Sequence, residues 1–286
     1  MQFPPDAKTV WTRDDGKVTY KAGIYYGLYH NNAVKGFYDT KKNIVTNLIR
    51  DPTHYFNICV GVIDYLFSKD LLQKEILRVH AACVAKGDSG LLICGTKGRG
   101  KTTLVMKFLR EGYSFVADDS VLLQLRNNKL VVHPFPRTLK INQEDLKKFP
   151  KLYENLKFVP VSTSDGLQKA IINPKENNLP INTQKVPISQ IIIPSLSSEQ
   201  QTVTNTIHPM DPDCTFCAID VVKKDLSFNL LIPSFRGQGL LKIDYLSNPE
   251  LIRQQDALCR KILKLYELRL FTLGTDFQKI DLSEWF

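Results

Sequence analysis

One segment, Gly95-Thr96-Lys97-Gly98-Arg99-Gly100-Lys101-Thr102, constrains this chain more than any other. It fits G-x-x-x-x-G-K-[ST] in full. Such a loop belongs between a buried strand and a helix, and both flanks suit it. Leu91-Leu92-Ile93-Cys94 is a short apolar run of buried-strand form. Thr102 to Arg110 places Leu104, Val105, Phe108 and Leu109 on one helical face, and Gly112 supplies a C-terminal cap. The sequence predicts a P-loop in an α/β protein.

Each part of the loop has a physical task. Glycines let backbone N–H groups close on phosphate oxygens. The helix start adds the positive end of its dipole. Lys101 supplies a mobile charge to the β- and γ-phosphates, and the Thr102 hydroxyl is placed for Mg²⁺. The expected ligand is ATP with Mg²⁺, held by Gly95, Thr96, Lys97, Gly98, Arg99, Gly100, Lys101, Thr102 and Thr103.

Asp118-Asp119 follows the apolar strand Phe115-Val116-Ala117. A carboxylate at a strand end beside a P-loop can hold Mg²⁺, and a second can accept the proton of an incoming hydroxyl. His80 sits in a candidate strand, Ile76 to Val84. Taken alone, a His on an apolar strand is more often a hydrogen-bonded core residue.

Together these residues resemble the HPr kinase family, which shares a P-loop fold with phosphoenolpyruvate carboxykinase. The family pattern is a His on the strand before the loop, the loop, then a Val-Ala-Asp-Asp strand end. Here Val79-His80-Ala81-Ala82-Cys83-Val84 precedes the loop, and Phe115-Val116-Ala117-Asp118-Asp119 follows it. His80 stands 21 positions before Lys101, and Asp119 stands 18 after it, as in the family. The match runs over about residues 76 to 125. The resemblance implies that Asp119 accepts the proton of a substrate serine, with His80 and Lys101 beside it. It also implies that Thr102 and Asp118 serve the metal.

The departures point to a different acceptor from HPr. The family's Glu-x-Arg-Gly segment is missing where His133-Pro134-Phe135-Pro136-Arg137 stands, and Phe235-Arg236-Gly237-Gln238-Gly239 is only a late fragment of it. The family arginine near a Pro-Gly-Arg turn is missing around Val186-Pro187-Ile188. In these features the chain resembles the divergent stand-alone kinases of the group, some of which phosphorylate ribosomally made precursor peptides such as those of lasso peptides. Pro136-Arg137-Thr138-Leu139-Lys140-Ile141 resembles a Pro-x-Arg strand of those relatives and makes Arg137 a candidate second cation. A solvated surface arginine is the equal alternative.

The remainder reads as a small β-rich accessory region over 1–75 and a kinase domain over 76–286. Val18 to Tyr29 predicts one or two strands. Tyr55 to Phe67 is apolar and ambiguous. Val121–Leu125 and Leu130–Val132 flank Asn127-Asn128, a hairpin signal. Residues 141–185 are irregular and suggest a lid or substrate loop. Val186 to Ile193 predicts a strand. Asn248-Pro249 opens a helix running to about Leu270, with Leu251, Leu258, Ile262, Leu265 and Leu268 packing inward.

The net charge of +9 suits acidic partners, but the basic residues are spread and mixed with acids. That favours a solvated surface over a nucleic-acid stripe. Six scattered cysteines do not form a secreted disulfide framework. Cys214-x-x-Cys217 with His208 nearby falls short of a tetrahedral zinc set, and reduced thiols are expected. Neither a signal peptide nor a membrane span is visible, so a cytoplasmic protein is expected. The expected partners are the nucleotide and a peptide or small-protein substrate, with no membrane or nucleic acid. The resemblance adds a homo-oligomer. A metabolite kinase and a nucleotide-gated binding protein stay open as alternatives.

Overall fold

The structure, a computed structural model, describes residues 4–13, 16–29, 34–42, 44–50, 63, 67, 70–95, 98–162, 168–197, 201–207 and 249–282. The fold is mixed α/β with strands dominant. The chain divides into two compact units, Met1–Lys74 with Phe228–Ala257 and Glu75–Ser227 with Leu258–Phe286. Tyr55 to Val62, His208, Cys214, Cys217, the Phe235–Gly239 fragment and Asn248 lie outside the described residues.

The first unit holds a five-stranded antiparallel meander of β1 (Lys8–Arg13), β2 (Gly16–Lys21), β3 (Ile24–Tyr29), β4 (Val34–Asp39) and β5 (Ile44–Ile49). Val18 to Tyr29 thus spans two strands, turned at Ala22-Gly23, where both residues have positive φ.

The second unit is built on a nine-stranded sheet. It contains β6 (Ile76–Val79), β7 (Ala81–Lys86), β8 (Ser89–Cys94), β9 (Ser114–Ala117), β10 (Val121–Arg126) and β11 (Lys129–His133). A separate three-stranded sheet contains β12 (Leu139–Asn142), β13 (Val159–Ser162) and β14 (Gln168–Ile172). The large sheet is completed by β15 (Val186–Leu196), β16 (Val203–Ile207) and β17 (Leu268–Leu273). The helices are α1 (Lys101–Arg110), α2 (Gln143–Lys148) and α3 (Pro249–Leu265).

Strand direction places the motifs. Ala81 of β7 faces Cys94 of β8, and Cys83 faces Ala117 of β9, both in antiparallel pairs. β8 and β9 therefore run the same way, and their C-terminal ends share one sheet edge with the start of β7. The loop after β8, the acids after β9 and His80 before β7 all fall there. β15 flanks β8 in parallel and pairs with β17 on its other side.

α1 packs into a core of Leu91, Ile93, Leu104, Val105, Met106, Phe108, Phe115, Ile192 and Phe271. It is buried further round than a one-faced helix, since Thr103, Met106 and Lys107 are covered too. Lys107 is neutralised by Glu111 at 2.7 Å. The helix ends as the sequence predicts. Gly112 adopts φ 83°, its N–H donates to Leu109 O, and the Tyr113 N–H donates to Phe108 O. That is the paired bonding of a Schellman cap. Asn127 and Asn128, with φ of 50° and 59°, make the two-residue turn of the β10–β11 hairpin.

Three expectations need correction. Ile76 to Val84 is two strands, not one, because β6 pairs with β10 while β7 pairs with β8 and β9, and the chain bends at His80 between them. The 141–185 stretch is less irregular than expected, since it holds the end of β12, α2, β13 and β14. Its many Lys, Asn and Pro residues mask a period-two burial of Leu139, Ile141, Ala170 and Ile172. The C-terminal helix stops at Leu265, which is 43% exposed, and Leu268 and Leu270 belong to β17. Pairing of Leu268-x-Leu270-Phe271 beside β15 overrides continued helix.

Gly112→Ala should cost about 1 kcal/mol in urea unfolding, since nothing crowds the added methyl and only the left-handed backbone penalises it. Nucleotide affinity should not move.

Candidate active site

The loop leaves the buried end of β8 at Gly95 and enters α1 through Gly100. Gly100 has φ 90°, and a Cβ there would press on Leu196 at 3.1 Å and Leu273 at 3.2 Å. A side chain is excluded both by backbone and by space. The Leu104 N–H donates to Gly100 O at 2.9 Å and starts the helix, leaving the earlier amides of α1 unbonded within it. Lys101 is buried and donates through Nζ to Gly95 O, so its charge lies back across the loop. Thr103 is buried, and the Arg99 guanidinium donates to Ser195 Oγ at 3.4 Å. Thr96 and Lys97 lie outside the described residues.

Thr102 Oγ1 donates to Asp118 Oδ2 at 3.1 Å. Asp118 is 3% exposed. Burial, then the charge of Asp119, pushes its carboxyl up to about 6. Asp119 is the opposite case, with its side chain 46% exposed at the mouth. The hydrogen bond from His80 and the charge of Lys140 hold it well below the usual carboxylate range, against an opposing effect of burial. His80 Nε2 lies 3.3 Å from Asp119 Oδ1, and Lys140 Nζ lies 3.4 Å from Oδ2. Asp119 has φ 64°, a left-handed conformation that Asp tolerates at some cost. Arg78 Nε donates to Ser120 Oγ at 2.8 Å and ties the residue after Asp119 to β6.

These groups surround a cleft of about 150 Å³ lined by His80, Gly98, Gly100, Lys101, Thr102, Thr103, Asp118, Asp119, Lys140, Asn142, Asp145 and Lys169. Arg137 is not among them; its guanidinium sits 5.7 Å from the Phe135 ring centroid. The cleft's further cations are Lys140 and Lys169, which the sequence reading did not select. The signal for Lys140 was present in Leu139-Lys140-Ile141-Asn142, whose alternation sends Lys140 and Asn142 away from the core.

The donor set bears on the metal. Among the described residues no group of three His, Cys, Asp or Glu side chains could hold an ion alone. A hydroxyl and a carboxylate 3.1 Å apart suit a hard cation that keeps waters and takes phosphate oxygens, which describes Mg²⁺. No helix among the described residues is long and apolar enough to cross a membrane.

No protein-family model matches the chain. It is 29% identical over 113 residues to an HPr kinase/phosphorylase of Mycoplasma mycoides, covering 34% of this chain and 36% of that protein. It is 28% identical over 97 residues to an HPr kinase/phosphorylase of Mycoplasmopsis pulmonis, covering 33% and 31%. The chain spans about a third of the length of these curated relatives. Among solved structures, the Hpr(Ser) kinase/phosphatase from Coxiella burnetii aligns with 46% of this chain and 77% of that one, at 18% identity and a TM-score of 0.28. So loose a superposition carries no argument. The sequence homology to HPr kinase/phosphorylase is weak but consistent.

The raised Asp118 carboxyl has a consequence for stability. The folded state holds this proton more tightly than the unfolded chain, whose ordinary value is 3.8. Its contribution to stability therefore falls as the pH rises from about 4 to about 6. Asp118→Asn should make the ligand-free protein more stable at pH 8, on the order of 3 kcal/mol. Denaturant titrations should show that gap closing towards pH 4.

Proposed function

We propose that the chain is an ATP-dependent kinase that transfers the γ-phosphate to a serine hydroxyl of a peptide or small protein. The observation that carries this reading is the meeting of five side chains on one sheet edge. They are the loop lysine, the Thr102–Asp118 pair, and an exposed, charged Asp119 braced by His80. The homology to HPr kinase/phosphorylase supports it. On this reading residues 76–286 form a P-loop kinase domain of the HPr kinase and phosphoenolpyruvate carboxykinase type, and 1–75 is accessory.

Backbone amides at Gly98 and Gly100 and the start of α1 receive the phosphates. Lys101 swings from Gly95 O to the β- and γ-oxygens. Thr102 and Asp118 would hold Mg²⁺, which would supply charge neutralisation to the phosphates. Asp119 accepts a hydrogen bond from the serine hydroxyl and aims its oxygen in line with the γ-phosphorus. As the serine O–P bond forms and the bond to the β-bridging oxygen breaks, the hydroxyl proton passes to Asp119, leaving ADP and phosphoserine. So weak a base accepts a proton only late, which suits a loose transition state where positioning dominates. His80 fixes the carboxylate's orientation, and Lys140 adds positive charge.

Lys101→Ala should abolish transfer. Asp119→Asn should keep nucleotide affinity within a few-fold while kcat falls by about 10²- to 10⁴-fold. Calorimetric titration with nucleotide and a coupled ADP-release assay measure the two effects. Wild-type turnover by Asp119→Asn would show the base assignment to be wrong.

A further inference from the structure

The sheet of β12, β14 and β13 gives one face to the core and the other to solvent. Leu139, Ile141, Ala170 and Ile172 are all at most 1% exposed and occupy the inner face. The register assembles the outer face. Lys140 stands opposite Ile171 and Asn142 opposite Lys169 across β12 and β14. Ile171 stands opposite Val159 and Lys169 opposite Val161 across β14 and β13. Lys140, Asn142 and Lys169 line the cleft beside Asp119. Val159, on the edge strand, is 61% exposed.

One continuous face therefore runs from two lysines at the reacting centre to three β-branched apolar residues. Strands lie about 4.8 Å apart, so β12 and β13 are separated by about 10 Å. An extended chain covers that in about three residues, at about 3.3 Å each.

Resting on the kinase reading above, we propose that this face is the acceptor subsite and takes an extended peptide. The serine lies at Asp119, and a carboxylate side chain next to it meets Lys140 and Lys169. An apolar side chain about three residues away covers Ile171, Val159 and Val161. The lysines supply charge complementarity, and the sheet's continuity with the cleft fixes the distance between the two features.

The test uses the full chain with γ-labelled ATP. The acceptors are short serine peptides with Asp, Ala or Lys beside the serine and Val or Ala three residues away on either side, with free serine as the small acceptor. Asp peptides should exceed Lys peptides by about tenfold or more in kcat/KM. Lys169→Glu should invert that preference, a gain that misfolding cannot imitate. Val159→Asp should raise KM for Val-bearing peptides more than it lowers kcat, whereas Val159→Leu should retain the preference for Val-bearing peptides.

Equal use of Asp and Lys peptides, or no inversion by Lys169→Glu, overturns the subsite while leaving the kinase reading in place. Phosphorylation of free serine with no peptide turned over overturns the subsite and the peptide acceptor together. Intact nucleotide binding without transfer to any hydroxyl overturns the kinase reading and the subsite with it.

Discussion

The site depends on the direction of three neighbouring strands. β7 runs against both β8 and β9, so two C-terminal ends and one N-terminal end meet at a single edge. Residues separated by dozens of positions then become neighbours without any long-range adjustment. The bend at His80 belongs to the same constraint. Were Ile76 to Val84 one straight strand, the His80 ring would be committed to a sheet face. Splitting it into β6 and β7 leaves the ring at the corner, 3.3 Å from Asp119. The Arg78–Ser120 bond holds the other side of that corner.

Adjacent carboxylates at this edge are driven apart in acidity by their surroundings. Asp118 lies inside, bonded to one hydroxyl, and burial makes its charge costly in the ligand-free protein. Asp119 lies at the mouth between His80 and Lys140 and stays charged. An inner carboxylate whose charge burial opposes and an outer one that its neighbours keep charged until it takes a proton are suited to different tasks. The inner one suits the metal, which removes the cause of its unfavourable charge. The outer one suits orienting a hydroxyl, where a fixed acceptor matters more than strong basicity.

What the sequence disclosed follows the range of each physical signal. The loop, the helix cap at Gly112 and the Asn127-Asn128 turn are local backbone requirements, and the residues announce them directly. The His80–Asp119 pairing is legible only through its spacing from Lys101, because strand order is not a local property. The 141–185 stretch reads as irregular because its sheet buries only alternate residues, and polar neighbours such as Lys140 and Lys169 dilute the pattern. The same polar residues line the cleft. Arg137 draws notice by resemblance, yet the strand phase favours Lys140, three positions on, and leaves Arg137 over Phe135.

On the kinase reading, this edge moves the γ-phosphate of ATP onto a serine hydroxyl. The most direct measurement is incubation of the wild-type protein with Mg²⁺, γ-labelled ATP and the peptide products of neighbouring genes, read by mass spectrometry. Label should appear on a peptide serine, with ADP formed in equal amount. Label appearing only as inorganic phosphate, or only on a small metabolite, would contradict that reading.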